Sequence, residues 1–370
     1  MMKTVCEINQ CTGCMACFEI CPRKAIQLRD SLKFYNAVID PGRCINCSLC
    51  HDICPVSKPP SLTAPFLWKQ GWASDSSIRK RSSSGGLAAA IEASFLENEG
   101  VVYSCFFLNG EFRFGKAETV DEIQQFTGSK YVKSNPGGIY TDILGCLDRG
   151  KKVLFVGLPC QAAAVRKYTH GHENLYTIDL ICHGTPSPAL LDMFLRDYGL
   201  SLKEIDNISF RRKNHFWLTI NNRAVAAAGV WDAYTMTFCD AVTYMESCYS
   251  CKFAGLKRPS DLTLGDSWGS DLSDSERKAG ISLLLCQTQK GEALLSMADL
   301  HLENVSLKRA ILYNHHLQHA AIPHRRRKAF FRAVRDTGSF RKAAWKCFPV
   351  KLFKKSVKAF LLKPVWSVKK

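Results

Sequence analysis

The stretch CTGCMACFEICP, residues 11–22, is answered by CINCSLCHDICP, residues 44–55. Each reads Cys-x2-Cys-x2-Cys-x3-Cys-Pro, and the match extends to Ile20 and Ile53. One unit has been duplicated. Three cysteines at steps of three wrap a loop around a cubane and offer thiolates to three of its irons. The fourth, followed by proline, points away toward the other cluster. The spacing assigns Cys11, Cys14, Cys17 and Cys54 to one [4Fe-4S] cluster, and Cys44, Cys47, Cys50 and Cys21 to a second. Zinc ribbons also use Cys-x2-Cys pairs. They account neither for a third cysteine in each loop nor for the Cys-Pro step. Between the loops, AIQL and NAVID alternate as two short strands, and Pro41-Gly42 turns the chain into the second loop.

A carrier of two clusters needs far less than 370 residues, so most of the chain must do something else. Hydrophobic residues make up 46% and charged residues 22%, ordinary values for a globular protein. Eighteen cysteines are not ordinary. The opening MMKTVCEINQ has no apolar core of a signal peptide, and no apolar run reaches the roughly 18 residues of a spanning helix. The expected compartment is a reducing cytoplasm, where clustered cysteines bind metal or do redox chemistry.

After a Pro/Ser-rich linker (57–65), RSSSGGLAAAIEASFLENEG (81–100) predicts a helix entered through a Ser/Gly loop. Free N–H groups at such an entry suit a phosphate, and they equally suit a plain cap. No GxGxxG or phosphate-loop motif is present. VVYSCFF (101–107) reads as a strand and GSKYVKS (128–134) as a polar loop. KKVLFVGLPCQAAAVRKY (151–168) and NLYTIDLICHGTPSPALLDMFLRDYG (174–199) each read as strand, turn, helix. The alternation predicts an α/β body. Cys160 and Cys182 fall at carboxyl ends of strands, where ligands of such folds gather. Farther on stands Cys248-x2-Cys251. These four admit two readings: ligands of a third [4Fe-4S] cluster, or buried structural cysteines with one redox-active pair. Cys6, Cys105, Cys146, Cys239, Cys286 and Cys347 read as ordinary core cysteines.

Residues 1–58 resemble a bacterial-type two-cluster ferredoxin. The motifs SSSGG, GSKYV, VLFVGLPCQ, DLICHGTPSP, SCYSCKFAGLKRPSDLTLGDSWG and GISLLL, in that order, resemble the coenzyme F420 hydrogenase/dehydrogenase beta-subunit family. The likeness is to its branch with an N-terminal two-cluster ferredoxin. It implies an α+β ferredoxin-like domain (1–58), a linker (59–69), a body in two parts (70–150 and 151–324) that is α/β and binds FAD, and a basic amphipathic C-terminal tail (325–370). By that resemblance Ser83, Ser84, Gly85 and Gly86 would touch FAD phosphate or ribose. Gly128, Ser129, Lys130 and Tyr131 would line the flavin, with Lys130 stabilising its reduced anion. His183 and Asp266 would be proton donors beside the substrate. Many members carry a further [4Fe-4S] cluster near the flavin. The implied activity is an iron–sulfur flavoprotein oxidoreductase. It would pass electrons to an organic substrate or a deazaflavin-like acceptor, and some bacterial members are associated with cell-surface polysaccharide synthesis. The alternatives are an electron-transfer subunit feeding a partner oxidoreductase, and a redox-sensing protein on a membrane. The expected partner is a redox donor or acceptor protein, or a deazaflavin-type cofactor.

The net charge of +17 is unevenly spread. Residues 325–370 hold sixteen Lys/Arg against Asp336, a net of +15, which leaves about +2 for the rest. No nucleic-acid partner is expected from such a body. In the tail, VKLFKKSVKAFLL (350–362) puts Val350, Phe353, Val357, Phe360 and Leu361 on one helical face beside Lys351, Lys354, Lys355 and Lys358, with Trp345, Phe348 and Trp366 flanking. That composition suits a helix lying on an anionic membrane surface. His315, His316, His319 and His324 have no acidic or cysteine neighbour in sequence and read as loop histidines.

Overall fold

The computed structural model describes residues 2–361, the side chain of Leu361 excepted. Trp366 of the tail therefore lies outside the described residues. The N-terminal unit pairs β1 (Ile26–Asp30) with β2 (Tyr35–Ile39) as an antiparallel hairpin. The two cysteine loops flank it and end in matched five-residue helices, Ala16–Ile20 and Leu49–Ile53.

The body is built on one eight-stranded sheet. Its strands are β3 (Leu67–Ala73), β4 (Val101–Leu108), β5 (Glu111–Ala117), β6 (Val153–Gly157) and β7 (Leu175–Leu180). A separate small sheet holds β8 (Ile208–Arg212), β9 (His215–Ile220) and β10 (Arg223–Ala224). The large sheet is completed by β11 (Leu262–Asp266), β12 (Ser282–Cys286) and β13 (Leu300–Glu303). Its order is β13-β3-β12-β11-β7-β6-β4-β5. The central β4, β6, β7 and β11 run parallel, and the outer strands antiparallel. VLFVG of β6 and SLLLC of β12 are buried throughout, as strands covered on both faces must be. EFRFGKA of β5 alternates exposed and buried, as an edge strand with one wet face does.

The pleat divides these side chains between two cores. Val102, Leu154 and Val156 join Leu87, Ile91 and Phe95 of the helix Leu87–Glu97. Val101, Tyr103, Val153 and Phe155 face the other way, toward the helix Pro159–Tyr168 and the cysteine-rich unit. That second core is shared between the two units. Glu19 fastens the seam by accepting from the N–H groups of Gly138 at 2.6 Å and Thr141 at 3.0 Å. Lys252 Nζ donates to the Val56 carbonyl at 2.8 Å.

Two expected boundaries move. The body begins inside the expected linker, because β3 starts at Leu67 and Thr63 already bridges to Arg258. Residues 70–150 and 151–324, expected as two parts of one domain, share one sheet through the pairing of β4 with β6. The basic amphipathic tail expected from 325 does not begin there. The helices Arg327–Thr337 and Phe340–Cys347 bury Phe330, Ala333, Val334, Phe340 and Ala344 against Phe194, Phe210 and Tyr234 of the body. Apart from Arg327, which is buried and paired with Glu246, their basic residues are the wet faces of core helices. Only the helix Pro349–Leu361 keeps an outward apolar row, with Val350, Phe353, Val357 and Phe360 exposed.

An ion pair holds the segment with Cys248 and Cys251 onto the sheet. Arg258 Nε and one terminal nitrogen donate to Asp179 Oδ1 of β7 at 3.1 and 2.8 Å, and its other terminal nitrogen donates to the Phe253 carbonyl at 2.8 Å. Both partners are buried. Losing one side of such a pair leaves an uncompensated buried charge. Arg258→Met is expected to destabilise the fold by about 3–5 kcal/mol in denaturant titration, with proteolysis gaining access between 247 and 261.

Candidate functional site

The two cysteine loops adopt the same backbone. Gly13 and Asn46 sit at φ 67° and 57°, Met15 and Ser48 both at 64°. A Cβ at Gly13 would meet the Tyr35 ring at 2.7 Å, so glycine is required there. These left-handed turns aim N–H groups inward. Gly13 N donates to Cys11 Sγ and Asn46 N to Cys44 Sγ, each at 3.4 Å, the bonds that hold a cluster's sulfurs and tune its potential. One cavity is lined by Cys11, Cys14, Cys17 and Cys54, and a second by Cys21, Cys44, Cys47 and Cys50. Each cavity thus collects the expected four. A single zinc would draw four sulfurs to about 2.3 Å from one point. Among the described residues no group of three or more His, Cys, Asp or Glu side chains is placed to hold a single metal ion. The first cavity is buried against the body, whereas the second has Cys47 exposed.

The structure adds a fifth sulfur to the first cavity. Cys6, expected to be an ordinary core residue, lines it. Its interaction with Cys11 and Cys54 lowers both thiols, Cys54 to about 5, and raises its own. The same position of the second repeat is Ile39, so the two cavities differ in kind. Counting thirty-three residues back from Ile39 would have exposed the asymmetry in the sequence.

Parallel strands end on one edge of the sheet, and that edge brings the four body cysteines together. Cys160 is the second residue of a helix entered from β6, Cys182 follows β7, and Arg258 holds Cys248 and Cys251 beside them. Cys160 feels Cys248, and Cys182 and Cys251 each feel Cys160 and Cys248. Cys182 is raised by burial and then by Cys248 and Cys160, and Cys251 is raised to about 11 by burial and then by Cys160 and Cys248. Cys160 also acts on Cys14 of the first cavity, so the two sulfur sets are neighbours.

Beyond them lie the loops expected to border a ligand cleft. Ser129 N donates to Ser83 Oγ at 3.0 Å, joining the two loops expected to face one ligand. Ser84 Oγ donates to the Ile281 carbonyl at 2.9 Å. Gly85 is demanded by the sheet, because a Cβ would meet Ser282 N at 2.8 Å. Gly86, at φ 88°, opens the helix Leu87–Glu97 with no side-chain cap. Gly128 is exposed, with open space where a Cβ would stand. The Lys130 ammonium donates to the carbonyls of Phe126 and Thr127 at 2.6 and 3.0 Å, and burial lowers its pKa. Tyr131 stacks on Phe238 at 4.5 Å.

Asp266, at the end of β11, accepts both arms of Arg211 at 2.5 and 2.6 Å. Arg211 lies over Trp268 and contacts the Tyr131 hydroxyl. Lys213 reaches the Ser84 carbonyl at 3.2 Å, and burial pushes it down to about 8. Both cations come from the β8–β9 hairpin, which no sequence motif marks. His183 packs 4.2 Å from His316. His183 is reachable by solvent yet desolvated, as a side chain lining a cleft is, and its pKa is lowered. His316, expected to be a loop histidine, is lowered to about 3 by burial, and neither ring nitrogen has a partner.

Two family models match the chain. One describes the C terminus of the coenzyme F420 hydrogenase/dehydrogenase beta subunit, over residues 150–307. The other is a 4Fe-4S dicluster domain, over residues 10–58. The chain thus joins a 4Fe-4S dicluster domain to a region like the C terminus of the coenzyme F420 hydrogenase/dehydrogenase beta subunit. A chain of the F420-reducing [NiFe] hydrogenase complex from Methanosarcina barkeri shares its fold, with a TM-score of 0.51 and 19% identity over 76% of this chain and 96% of that one. No curated protein matches. The dicluster domain in front of that region makes the chain an iron–sulfur electron-transfer protein.

An imidazole that is neutral when folded contributes stability that is complete above its ordinary value near 6.5. That stability is lost as pH falls toward the folded value, here about 3, because the unfolded chain binds the proton first. Stability is expected to rise with pH between about 3 and 6.5, with a smaller slope in His316→Phe, as urea titrations across that range would show.

Proposed function

We propose that the chain is an iron–sulfur flavoprotein oxidoreductase that delivers electrons to an organic substrate or deazaflavin-like acceptor in the cleft. The observation that carries this is the meeting of four body cysteines between the first cysteine-loop cavity and the cleft. In this reading Cys11, Cys14, Cys17 and Cys54 hold one [4Fe-4S] cluster and Cys44, Cys47, Cys50 and Cys21 another. Cys160, Cys182, Cys248 and Cys251 hold a third. The exposed second cavity is where a redox partner exchanges electrons, and the buried first one faces inward.

The cleft fits FAD. The uncapped helix at Gly86 and the Lys213 ammonium suit its phosphates, and the unpartnered nitrogens of His316 await a polar ligand. A bound flavin would couple one-electron carriers to hydride chemistry. The protein's own part is to orient and to hold protons. Arg211 is fixed by Asp266 and Trp268, so Asp266 serves as its counterion rather than as a free acid. His183 and His316 stay neutral and can accept a proton at a ring nitrogen. The solved relative comes from a hydrogenase complex, which favours a second reading: a subunit passing electrons to a partner enzyme. Turnover of a small acceptor by the isolated chain separates the two.

Anaerobic reconstitution is expected to give about twelve irons, four per cubane, with one FAD per chain. About eight irons with FAD would return the body cysteines to structural roles. Eight irons and no flavin would overturn the flavoprotein reading.

No described helix is long and apolar enough to cross a membrane. The outward row of Val350, Phe353, Val357 and Phe360, flanked by Lys351, Lys354 and Lys358, supports peripheral binding to an anionic bilayer. Truncation after residue 348 spares the core helices. It is expected to abolish flotation with anionic liposomes, while the full chain floats and releases at high salt. Equal flotation of both forms would remove the membrane from the function.

A further inference from the structure

Lys133 sits where the cysteine-rich unit meets the body. Only 4% of it is exposed. Its loop is pinned on both sides: Lys133 N donates to the Pro186 carbonyl at 2.9 Å and Asn135 N to the Phe112 carbonyl at 2.7 Å. The stem passes Gly13 of the first cysteine loop, with Cδ 3.7 Å from where a Cβ would stand. The ammonium ends 3.9 Å from Cys160 Sγ. Among the described residues no carboxylate stands within ion-pair distance of it. The groups that act on it are Cys160, Cys248, Cys182 and Tyr35, and it acts in turn on Cys11.

A buried, unpaired ammonium is severely unfavourable. Neutral thiols cannot compensate it. Four thiolates around a cubane can, because a [4Fe-4S] core with four cysteines carries net negative charge in both working states. We infer that Lys133 is the counterion of the body cluster and sets its potential above that of an uncompensated site. Reduction adds one electron and one negative charge to the cluster, and a fixed cation beside it favours the reduced form. Lys133 is a positioning residue and touches no substrate. The inference rests on the third-cluster reading above.

Lys133→Met keeps the length and removes the charge, and Lys133→Arg keeps the charge. Each would be reconstituted anaerobically, its iron and sulfide counted, and its clusters titrated by EPR against potential. The expected result for Lys133→Met is about twelve irons and at least a tenfold fall in the body cluster's reduction equilibrium, about 59 mV for one electron. The first cavity's cluster should shift less, the exposed one not at all, and Lys133→Arg should restore the body cluster. Loss of four irons in the Met variant, kept in the Arg variant, would equally support charge compensation. A Met variant with all its irons and unmoved potentials would overturn the inference alone. So would loss of four irons in both variants, since shape rather than charge would then be what matters. A wild-type chain with only eight irons would instead overturn the third-cluster reading beneath it.

Discussion

The Arg258–Asp179 pair is the contact on which the body's chemistry depends. Asp179 lies on β7, a central strand, so its carboxylate is far from water. Desolvation on both sides makes such a pair a poor source of net stability. Its value is geometric. Arg258 ties Asp179 to the carbonyls of Phe253 and Leu180, so one guanidinium fixes both the end of β7 and the loop behind it. Cys182 follows that strand end, and Cys248 and Cys251 sit in that loop. Three of the four body sulfurs are therefore placed by one buried cation, and the fourth by the helix after β6.

The duplicated loops show how one unit can serve two roles. Backbone turns and N–H···S bonds repeat almost unchanged between them, so local geometry sets them equal. Surroundings do not. The first cavity is closed by the body and carries Cys6; the second faces solvent and carries Ile39. A cluster's potential responds to hydrogen bonds at sulfur and to exposure. Both terms differ between the cavities, so identical ligand spacing does not mean identical potential.

What the sequence disclosed divides along the same line. The cysteine pairing was legible because its geometry lies within twelve-residue windows with a repeat to check them. Cys160 and Cys182 were legible because strand-turn-helix patterns put them on one edge of a parallel sheet. Cys6 was visible only by counting back along the repeat from Ile39. Lys133, Arg211 and Lys213 had no such signature; each acquires meaning only from segments far away in sequence. The tail misled for a different reason. Counting charge over 325–348 overlooked the spacing of Phe330, Ala333 and Val334, which marks a helix with one buried stripe. Basic residues on the opposite face say nothing about whether a helix is free.

Three buried cations lie along the path from the cysteine loops to the cleft, and each is satisfied differently. Lys130 has carbonyls, which accept its hydrogen bonds but return no full charge, and its pKa falls accordingly. Arg211 has a bidentate carboxylate, which fixes it as a rigid donor beside Tyr131. Lys133 has sulfur alone. Only for the third does neutrality of the interior depend on what the cysteines carry. A site whose internal charge balances only when its sulfurs are ionised is consistent with a body that holds a cluster, and it is poorly explained by four inert thiols.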